Sequence, residues 1–283
     1  MTARSGVSVT ERLKGRVAIV SGATKEVGAV IMRRLSDEGA AVVGVGRSIA
    51  AGEAVAESIR QCGGRALFHA ADVSTESEVQ SAVAAAVRAF GALHIIVNNA
   101  AATDTLRGSG ERPVIDEPTD TFDRMFKVNV YGPFWFAKYG LPHMMAAGGG
   151  SIISVSSISA NRVDRSMPGY VASKAALDGL TRQIATDYAE HGVRVNSISL
   201  GTMLHAETER FFADPAQNKA RAANRMIERP GTPTDLANMV VFLASEESAF
   251  VTGALIPLDG GATAKYPAPA IGTTTRKDEH ASP

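Results

Sequence analysis

Three side chains in this sequence have the chemistry to move a proton to or from an alcohol oxygen. Tyr170 and Lys174 are four positions apart, so on a helix their side chains share a face. Ser157 precedes them by enough chain for a strand end and a loop, which can return its hydroxyl to the same place. A phenol beside an ammonium and a second hydroxyl therefore predicts general acid–base chemistry.

The role of each group follows from its proton affinity. A free phenol has a pKa of about 10, which is too high for a base at neutral pH. The Lys174 ammonium is expected to lower the pKa of Tyr170 towards the useful range. Tyr170 would then protonate a carbonyl oxygen or deprotonate an alcohol. Ser157 would donate a hydrogen bond to the same oxygen and stabilise its developing charge.

The elements that must position these residues alternate between short apolar runs and longer helical stretches, a pattern typical of βαβ units. This predicts an α/β fold, a doubly wound parallel sheet of about seven strands with helices on both faces. The predicted strands are Arg16–Ser21, Ala41–Gly46, Ala66–Ala70, Leu93–Asn98, Ser151–Ser156, Val193–Ser199 and Ala254–Leu258. The predicted helices are Val27–Glu38, Ala50–Gln61, Glu76–Phe90, Thr119–Ala147, Ala172–His191 and Pro233–Ala244. Ser157 then lies at the carboxyl edge of the sheet, where ligands of such folds bind.

A glycine-containing turn, Ser21 to Gly28, follows the first predicted strand and opens a helix. Gly22 and Gly28 allow a tight turn and a close approach of the helix to the strands. Free amides at the helix start can face a pyrophosphate, which the positive end of the helix dipole favours. This placement predicts a dinucleotide site.

With these motifs, the chain resembles the short-chain dehydrogenases/reductases over roughly residues 12–262. Their Thr-Gly-x-x-x-Gly-x-Gly turn is matched from Ser21 to Gly28, with Glu26 in place of the middle glycine. Asp72-Val73 looks like the segment beside the adenine ring, and Asn98-Asn99-Ala100-Ala101 looks like the family's Asn-Asn-Ala-Gly. The resemblance implies a Rossmann-type sheet and a nicotinamide cofactor.

The resemblance also assigns roles to individual residues. Lys174 would hold the nicotinamide ribose, and Asn129 would hold a water that connects Lys174 to solvent as a proton relay. The implied catalytic residues are Asn129, Ser157, Tyr170 and Lys174. The implied cofactor-binding residues are Ser21, Gly22, Thr24, Lys25, Val27, Gly28, Arg47, Asp72, Val73, Asn99, Ala100, Ala101, Tyr170, Lys174, Gly201 and Met203.

Two positions depart from the family pattern. The Glu26 carboxylate would stand near two phosphates, so it should cost cofactor affinity unless it turns outward or pairs with Lys25 or Arg47. After the sixth strand, Leu200 replaces the usual proline, and His205 stands where the family has a threonine. His205 is as well explained by a polar loop position as by acid–base chemistry, so it stays outside the catalytic set.

The choice of nicotinamide follows from charge at the end of the second strand. NAD-binding folds place an acid there to hold the ribose hydroxyls. Here Gly46 leaves room, and the fork of Arg47 suits a 2′-phosphate, with Lys25 as a second cation. We therefore expect NADP, since members of the family that prefer NADP carry basic residues at these positions, with NAD as the alternative if Arg47 and Lys25 are ordinary surface charges.

Composition and charge limit the other possibilities. The chain has 283 residues, 45% of them hydrophobic, with a formal net charge of zero, so nucleic-acid and membrane partners are not expected. Cys62 is the only cysteine, which excludes an internal disulfide and a cysteine-based zinc site; no metal is expected. We expect a cytoplasmic homodimer or homotetramer acting on a small ketone or alcohol. The spacing of its apolar stretch 119–147, with Ala175, Ala176 and Leu180, fits an interface between copies or simple core packing equally well, and the family resemblance favours the interface.

The predicted organisation is a flexible extension at 1–12, one dinucleotide-binding and catalytic domain at 13–262, and a C-terminal tail at 263–283. A substrate lid is expected near 202–228. The favoured function is hydride transfer between NADP(H) and a ketone or secondary alcohol. The alternatives are a 3-oxoacyl-thioester reductase, a non-redox lyase of the same fold, or a nucleotide-binding protein without turnover. A lyase should have lost Gly22, Gly28 and Lys174, and all three are present.

Overall fold

The computed structural model describes residues 11–103, 112–163, 165–206 and 208–265. Their strands are β1 (Val17–Ser21), β2 (Ala41–Gly46), β3 (Ala66–Ala70), β4 (Ile95–Asn98), β5 (Gly150–Ser157), β6 (Val193–Leu200) and β7 (Leu255–Leu258). They form a seven-stranded sheet in the order β3-β2-β1-β4-β5-β6-β7, and every neighbouring pair is parallel. The predicted doubly wound sheet is confirmed.

The central strands are buried because helices cover both of their faces. Every residue of β1, β2 and β4 is buried, as their continuous apolar sequence predicts. The flanking helices are α1 (Glu26–Asp37), α2 (Ile49–Gln61), α3 (Glu76–Phe90), α4 (Thr119–Phe126), α5 (Gly132–Ala146), α6 (Pro168–Tyr188), α7 (Arg210–Ala213), α8 (Pro215–Ala223) and α9 (Pro233–Ala244).

Two apolar cores lie on opposite faces of the sheet. The first contains side chains of α1, α2 and α9, including Ile31, Ile59 and Leu236. The second contains side chains of α3, α5 and α6, including Val83 and Phe136. This division into two layers leaves the carboxyl ends of the strands free to carry a site.

Two predicted helices differ from the structure in ways that matter for the site. The stretch predicted as one helix over Thr119–Ala147 consists of α4, a π-helical turn at Lys127–Tyr131, and α5. The helix predicted to begin at Ala172 begins at Pro168, because a proline is well suited to the first helical turn. Tyr170 therefore lies in the first turn of α6, on the same helix as Lys174.

The described residues next to both chain ends make contacts with the domain, and the predicted boundaries at 12 and 262 stay predictions. The guanidinium of Arg12, placed in a flexible extension, binds Glu38 at 2.7 Å and Glu247 at 3.1 Å. Glu38 is buried and needs a cation. At the other end, Lys265 Nζ donates to the carbonyl oxygens of Ala223 at 2.6 Å and Arg225 at 3.1 Å. Residues 263–265 are therefore attached to the end of α8, and the remainder of the predicted tail lies outside the described residues.

The polar stretch Arg107–Pro118, predicted as a loop, is described only from residue 112. It contains a short 3-10 turn at Val114–Asp116. In the part of the chain that the structure describes, no helix has the length and apolar character needed to cross a bilayer.

Candidate active site

The turn after β1 has a shape that only glycine permits at two positions. Gly22 has a φ of 69°, in the left-handed region. A Cβ on Gly28 would lie 2.2 Å from the carbonyl oxygen of Gly22, so a side chain there would push α1 away from the turn. The turn and helix start therefore come close enough together to receive a diphosphate.

Hydrogen bonds between the end of β1 and the loop after β4 hold this turn in place. Asn99 Nδ2 donates to the carbonyl oxygens of Ser21 at 3.0 Å and Gly22 at 3.3 Å. Ser21 Oγ accepts from the backbone N–H groups of Asn99 at 3.0 Å and Ala100 at 3.1 Å. Ser21 is 2% exposed and does not line the cavity described below, so it shapes the turn rather than facing a ligand. Its predicted contact with the cofactor stays a prediction.

A cavity of about 660 Å³ lies along the carboxyl ends of the strands. Its wall contains the residues that directly follow β1, β2, β4 and β6, namely Gly22, Arg47, Asn99 and Gly201. The predicted cofactor residues that line it are Gly22, Thr24, Lys25, Val27, Gly28, Arg47, Asp72, Val73, Asn99, Ala100, Ala101, Gly201 and Met203. Ser157, Tyr170 and Lys174 line the same cavity.

The three reactive side chains come from β5 and α6. Ser157 is the last residue of β5 and accepts a hydrogen bond from Ser159 N at 3.1 Å. Lys174 Nζ donates to the carbonyl oxygen of Val155 at 2.7 Å and lies 5.7 Å from the centre of the Tyr170 ring. The cluster thus joins a phenol, a hydroxyl and a buried ammonium at one end of the cavity.

The protonation of this cluster differs from the expectation. Burial raises the pKa of Tyr170, and hydrogen bonding with Ser157 opposes that shift. Burial also lowers the pKa of Lys174 to about 8, although the carboxylate of Asp178 acts in the opposite direction. The expected fall in the Tyr170 pKa is therefore not found, because desolvation of the phenolate is the dominant effect here.

Asn129 lies in the π-helical turn and is 1% exposed. Its Oδ1 accepts from Ala102 N at 3.0 Å, and its Nδ2 donates to Ser173 Oγ at 2.9 Å. Ser173 Oγ in turn donates to the carbonyl oxygen of Tyr170 at 2.8 Å. The Asn129 amide therefore connects the loop after β4 to the first turn of α6, and the water relay stays a prediction.

The opposite end of the cavity is rich in charge. Burial acts to raise the pKa of Asp72, but hydrogen bonds from Ser74 and the charges of Arg47 and Arg124 hold it below its ordinary value. Arg47 and Arg124 both line the cavity. Two guanidinium groups thus flank one carboxylate where the resemblance places the adenosine.

The segment after β6 covers part of the cavity, and Glu26 contacts it. Glu26 Oε2 accepts a hydrogen bond from the backbone N–H of Ala206 at 2.8 Å. Thr208 Oγ1 accepts from His205 N at 3.0 Å and donates to the carbonyl oxygen of Met203 at 2.6 Å. The Glu26 carboxylate therefore has a partner that the sequence did not suggest.

Sequence reasoning missed several residues of the cavity wall, among them Arg124, Thr208 and Arg221. Arg124 and Arg221 lie on α4 and α8, where their charges are indistinguishable from those of an ordinary solvated helix face. No pattern in the sequence singles them out.

The chain is similar to proteins that act on alcohols and carbonyl compounds. A family model described as enoyl-(acyl carrier protein) reductase matches residues 22–263. The 4-formylbenzenesulfonate dehydrogenase of Comamonas testosteroni is 36% identical over 88% of this chain and 98% of its own length. The cis-4-hydroxycyclohexanecarboxylate dehydrogenase of Sinomonas cyclohexanicum is 35% identical over 90% of this chain and 99% of its own.

The chain is also similar in structure to solved dehydrogenases. A 7α-hydroxysteroid dehydrogenase in complex with NADH and 7-oxo glycochenodeoxycholic acid is 32% identical, with a TM-score of 0.82 over 91% of this chain and 98% of that one. A gluconate 5-dehydrogenase from Burkholderia cenocepacia J2315, in complex with NADP and tartrate, is 28% identical. Its TM-score is 0.83 over 90% of this chain and 98% of that one.

Proposed function

Since this chain belongs to the short-chain dehydrogenase/reductase family and is an NAD(P)-dependent oxidoreductase acting on alcohols or ketones, we propose that it uses NADP(H) and that Tyr170 is its acid–base residue. The observation that carries the proposal is the arrangement of Ser157, Tyr170 and Lys174 around one cavity. The glycine-containing turn lines the same cavity, so one ligand can reach both.

The nicotinamide, when bound, accepts or supplies the hydride. In reduction, the neutral Tyr170 phenol donates its proton to the carbonyl oxygen and becomes a phenolate; in oxidation, the phenolate form removes the proton of the alcohol and becomes the phenol again. Its raised pKa makes the neutral phenol the resting form, which suits proton donation. Ser157 donates a hydrogen bond to the same substrate oxygen and fixes its distance from the phenol.

Lys174 supplies a positive charge and a donor that the ribose hydroxyls of the cofactor can use. Its bond to the Val155 carbonyl oxygen fixes the ammonium against β5. Asn129 supports the site indirectly, because it holds Ser173, which lies next to Lys174 in α6. We also retain the water relay through Asn129 as part of this proposal.

The preference for NADP rests on charge and space at the end of β2. Gly46 has no side chain, and Arg47 and Arg124 both line this part of the cavity. A 2′-phosphate carries negative charge that two guanidinium groups can neutralise. The Asp72 carboxylate interacts with both cations and offsets one of their charges, which leaves a net positive end.

The substrate we propose is a medium-sized, partly apolar ketone or secondary alcohol. The two curated relatives are named for ring compounds that carry a sulfonate or a carboxylate. Arg221 of α8 lines the cavity and offers a cation for such a group. The segment 202–228, which contains α7 and α8, is our proposed substrate lid.

The decisive experiment combines a fluorescence titration with an activity panel of cyclic ketones, hydroxy acids and a 3-oxoacyl thioester. We expect NADPH to bind more tightly than NADH. Tyr170→Phe should lower turnover by a factor of about 10² to 10⁴ while the Kd for NADPH changes little.

The same titration is repeated with Arg47→Asp, which should bind NADH more tightly relative to NADPH than the parent protein does. A Tyr170→Phe enzyme with normal turnover would remove the proposed mechanism. An unchanged cofactor preference in Arg47→Asp would remove the assignment of NADP.

A further inference from the structure

Glu26 makes a hydrogen bond to a distant segment of the chain that the proposed mechanism does not use. It is the first residue of α1, at the position where the family pattern has a glycine. Its Oε2 accepts the 2.8 Å hydrogen bond from Ala206 N, across 180 positions of the sequence. Glu26 and Ala206 are both exposed and both line the cavity, so this bond lies at the solvent edge of the cavity.

Hydrogen bonds within the segment after β6 hold together the residues around Ala206. Thr208 Oγ1 bonds to both the N–H of His205 and the carbonyl oxygen of Met203. Leu204 N donates to the carbonyl oxygen of Gly231 at 2.8 Å, which attaches the other side of the segment to the approach to α9. A contact at Ala206, next to His205, therefore acts on the braced residues 203–205 and 208 as well as on one peptide group.

The negative charge of Glu26 affects how a dinucleotide would bind beside it. A carboxylate in the first turn of a helix is stabilised by the positive end of the dipole. The same end of α1 is where a diphosphate would bind, so Glu26 and the diphosphate compete for one positive field. The hydrogen bond to Ala206 gives the carboxylate a second partner, located on the segment that borders the cavity.

We propose that Glu26 is a positioning residue that latches the segment after β6, described at 203–206 and 208, to the glycine-containing turn and couples the opening of this segment to the binding and release of the dinucleotide. The part that concerns the dinucleotide rests on the proposed function, whereas the latch itself is a property of the protein alone. In this arrangement the carboxylate weakens dinucleotide binding through its charge and orders the segment through its hydrogen bond.

Two substitutions separate the charge from the hydrogen bond. Glu26→Gln keeps an acceptor oxygen for Ala206 N–H and removes the charge, whereas Glu26→Ala removes both. Glu57→Ala is the matched control, because Glu57 is an exposed glutamate of α2 that bonds to Arg60 and does not line the cavity. Glu26 is exposed at a helix start, so each variant is expected to fold, and circular dichroism checks this.

The first readout is hydrogen–deuterium exchange of peptides covering 203–208 in the protein without added nucleotide. We expect Glu26→Ala to raise exchange there by roughly tenfold, while Glu26→Gln and Glu57→Ala stay near the parent protein. Unchanged exchange in Glu26→Ala would overturn the latch, whether or not the protein binds a dinucleotide.

The second readout is the Kd for NADPH and for NADH, from fluorescence titration at two salt concentrations. We expect Glu26→Gln to tighten NADPH binding by roughly tenfold at low salt and by less at high salt. A normal Kd in Glu26→Gln would overturn the effect of the charge, and equal Kd values in Glu26→Gln and Glu26→Ala would overturn the coupling of the segment to dinucleotide binding. If the parent protein binds neither dinucleotide while Glu26→Ala still raises exchange, the proposed function fails and the latch stands.

Discussion

Lys174 is the residue on which the electrostatics of the site depend. It is 3% exposed, and its ammonium donates a hydrogen bond to the carbonyl oxygen of Val155. Asp178, one turn later on α6, is also buried, and its Oδ1 accepts from Ser197 Oγ at 2.8 Å. A buried lysine with a carboxylate on the same helix face keeps a cation near Tyr170 without exposing it to water.

The lowered pKa of Lys174 predicts how stability changes with pH. Its ordinary pKa of 10.5 falls to about 8 in the folded chain, so between these values the unfolded state binds more protons than the folded state. The free energy of unfolding should therefore rise with pH in this window. From pH about 7.5 to about 9.5 we expect Lys174 to contribute a gain of about 2 kcal/mol.

Urea denaturation of the parent protein and of Lys174→Met at both pH values measures this contribution. The variant should lack the gain. Lys138→Met is the control, because Glu76 raises the pKa of that exposed lysine and its contribution has the opposite sign. Equal pH slopes for the parent protein and Lys174→Met would show that the ammonium is not desolvated as described.

At the scale of elements, the π-helical turn between α4 and α5 determines where Asn129 points. Such turns insert one residue into a helix and are frequent at functional sites. Here the turn accompanies a side chain that bonds to both Ala102 and Ser173. The helix therefore connects the loop after β4 to α6, the two elements on either side of the cavity.

The sequence predicts the elements far better than it predicts the contacts between them. The seven strands follow from short apolar, β-branched runs that alternate with helical stretches, and the motif residues follow from short spacings within one element. The partners of Lys174 and Glu26 are backbone groups, the Val155 carbonyl and the Ala206 N–H, which any residue type provides. The π-helical turn at 127–131 leaves no signal either, because its residue types also occur in a regular helix.

The start of α9 gives a prediction at this scale. Thr232 and Asp235 form a capping box, in which Thr232 Oγ1 accepts from Asp235 N and Asp235 Oδ2 accepts from Thr232 N at 2.8 Å. Hydrogen bonds from Arg229, opposed by partial burial and aided by Thr232, lower the pKa of Asp235 to about 2. The helix packs Leu236 and Val240, both fully buried, into the core beside α1.

We expect Asp235→Ala to lower the free energy of unfolding by about 1 kcal/mol at pH 7, a modest value because the side chain is 30% exposed. The contribution is present above pH 3.8 and is lost as the pH falls towards about 2. Urea denaturation at pH 7 and pH 3 measures both. Thr232→Ser keeps the capping hydroxyl and should stay close to the parent protein, and an equally stable Asp235→Ala would contradict the assignment.

At the scale of the whole molecule, apolar side chains remain exposed on the layer formed by α4, α5 and α6. Tyr131 is 50% exposed and Phe134 is 42% exposed, and the Tyr131 ring lies 5.5 Å from that of Trp135. A surface of this kind on a chain with a zero formal net charge favours contact with a second copy. Phe250, between α9 and β7, exposes its whole ring at a second place.

We therefore propose a homodimer or homotetramer, and light scattering after size exclusion distinguishes the two. Phe134→Asp should reduce the assembly to a smaller species, because a carboxylate at an apolar contact must lose its hydration. Phe250→Asp tests the second exposed apolar position, between α9 and β7. If the parent protein is a tetramer, this variant should form a dimer; if the parent protein is a dimer, the variant should stay a dimer. Since Phe134 does not line the cavity, NADPH binding by the dissociated protein would show that each copy holds a complete dinucleotide site. A parent protein that is monomeric at all concentrations would disprove the assembly.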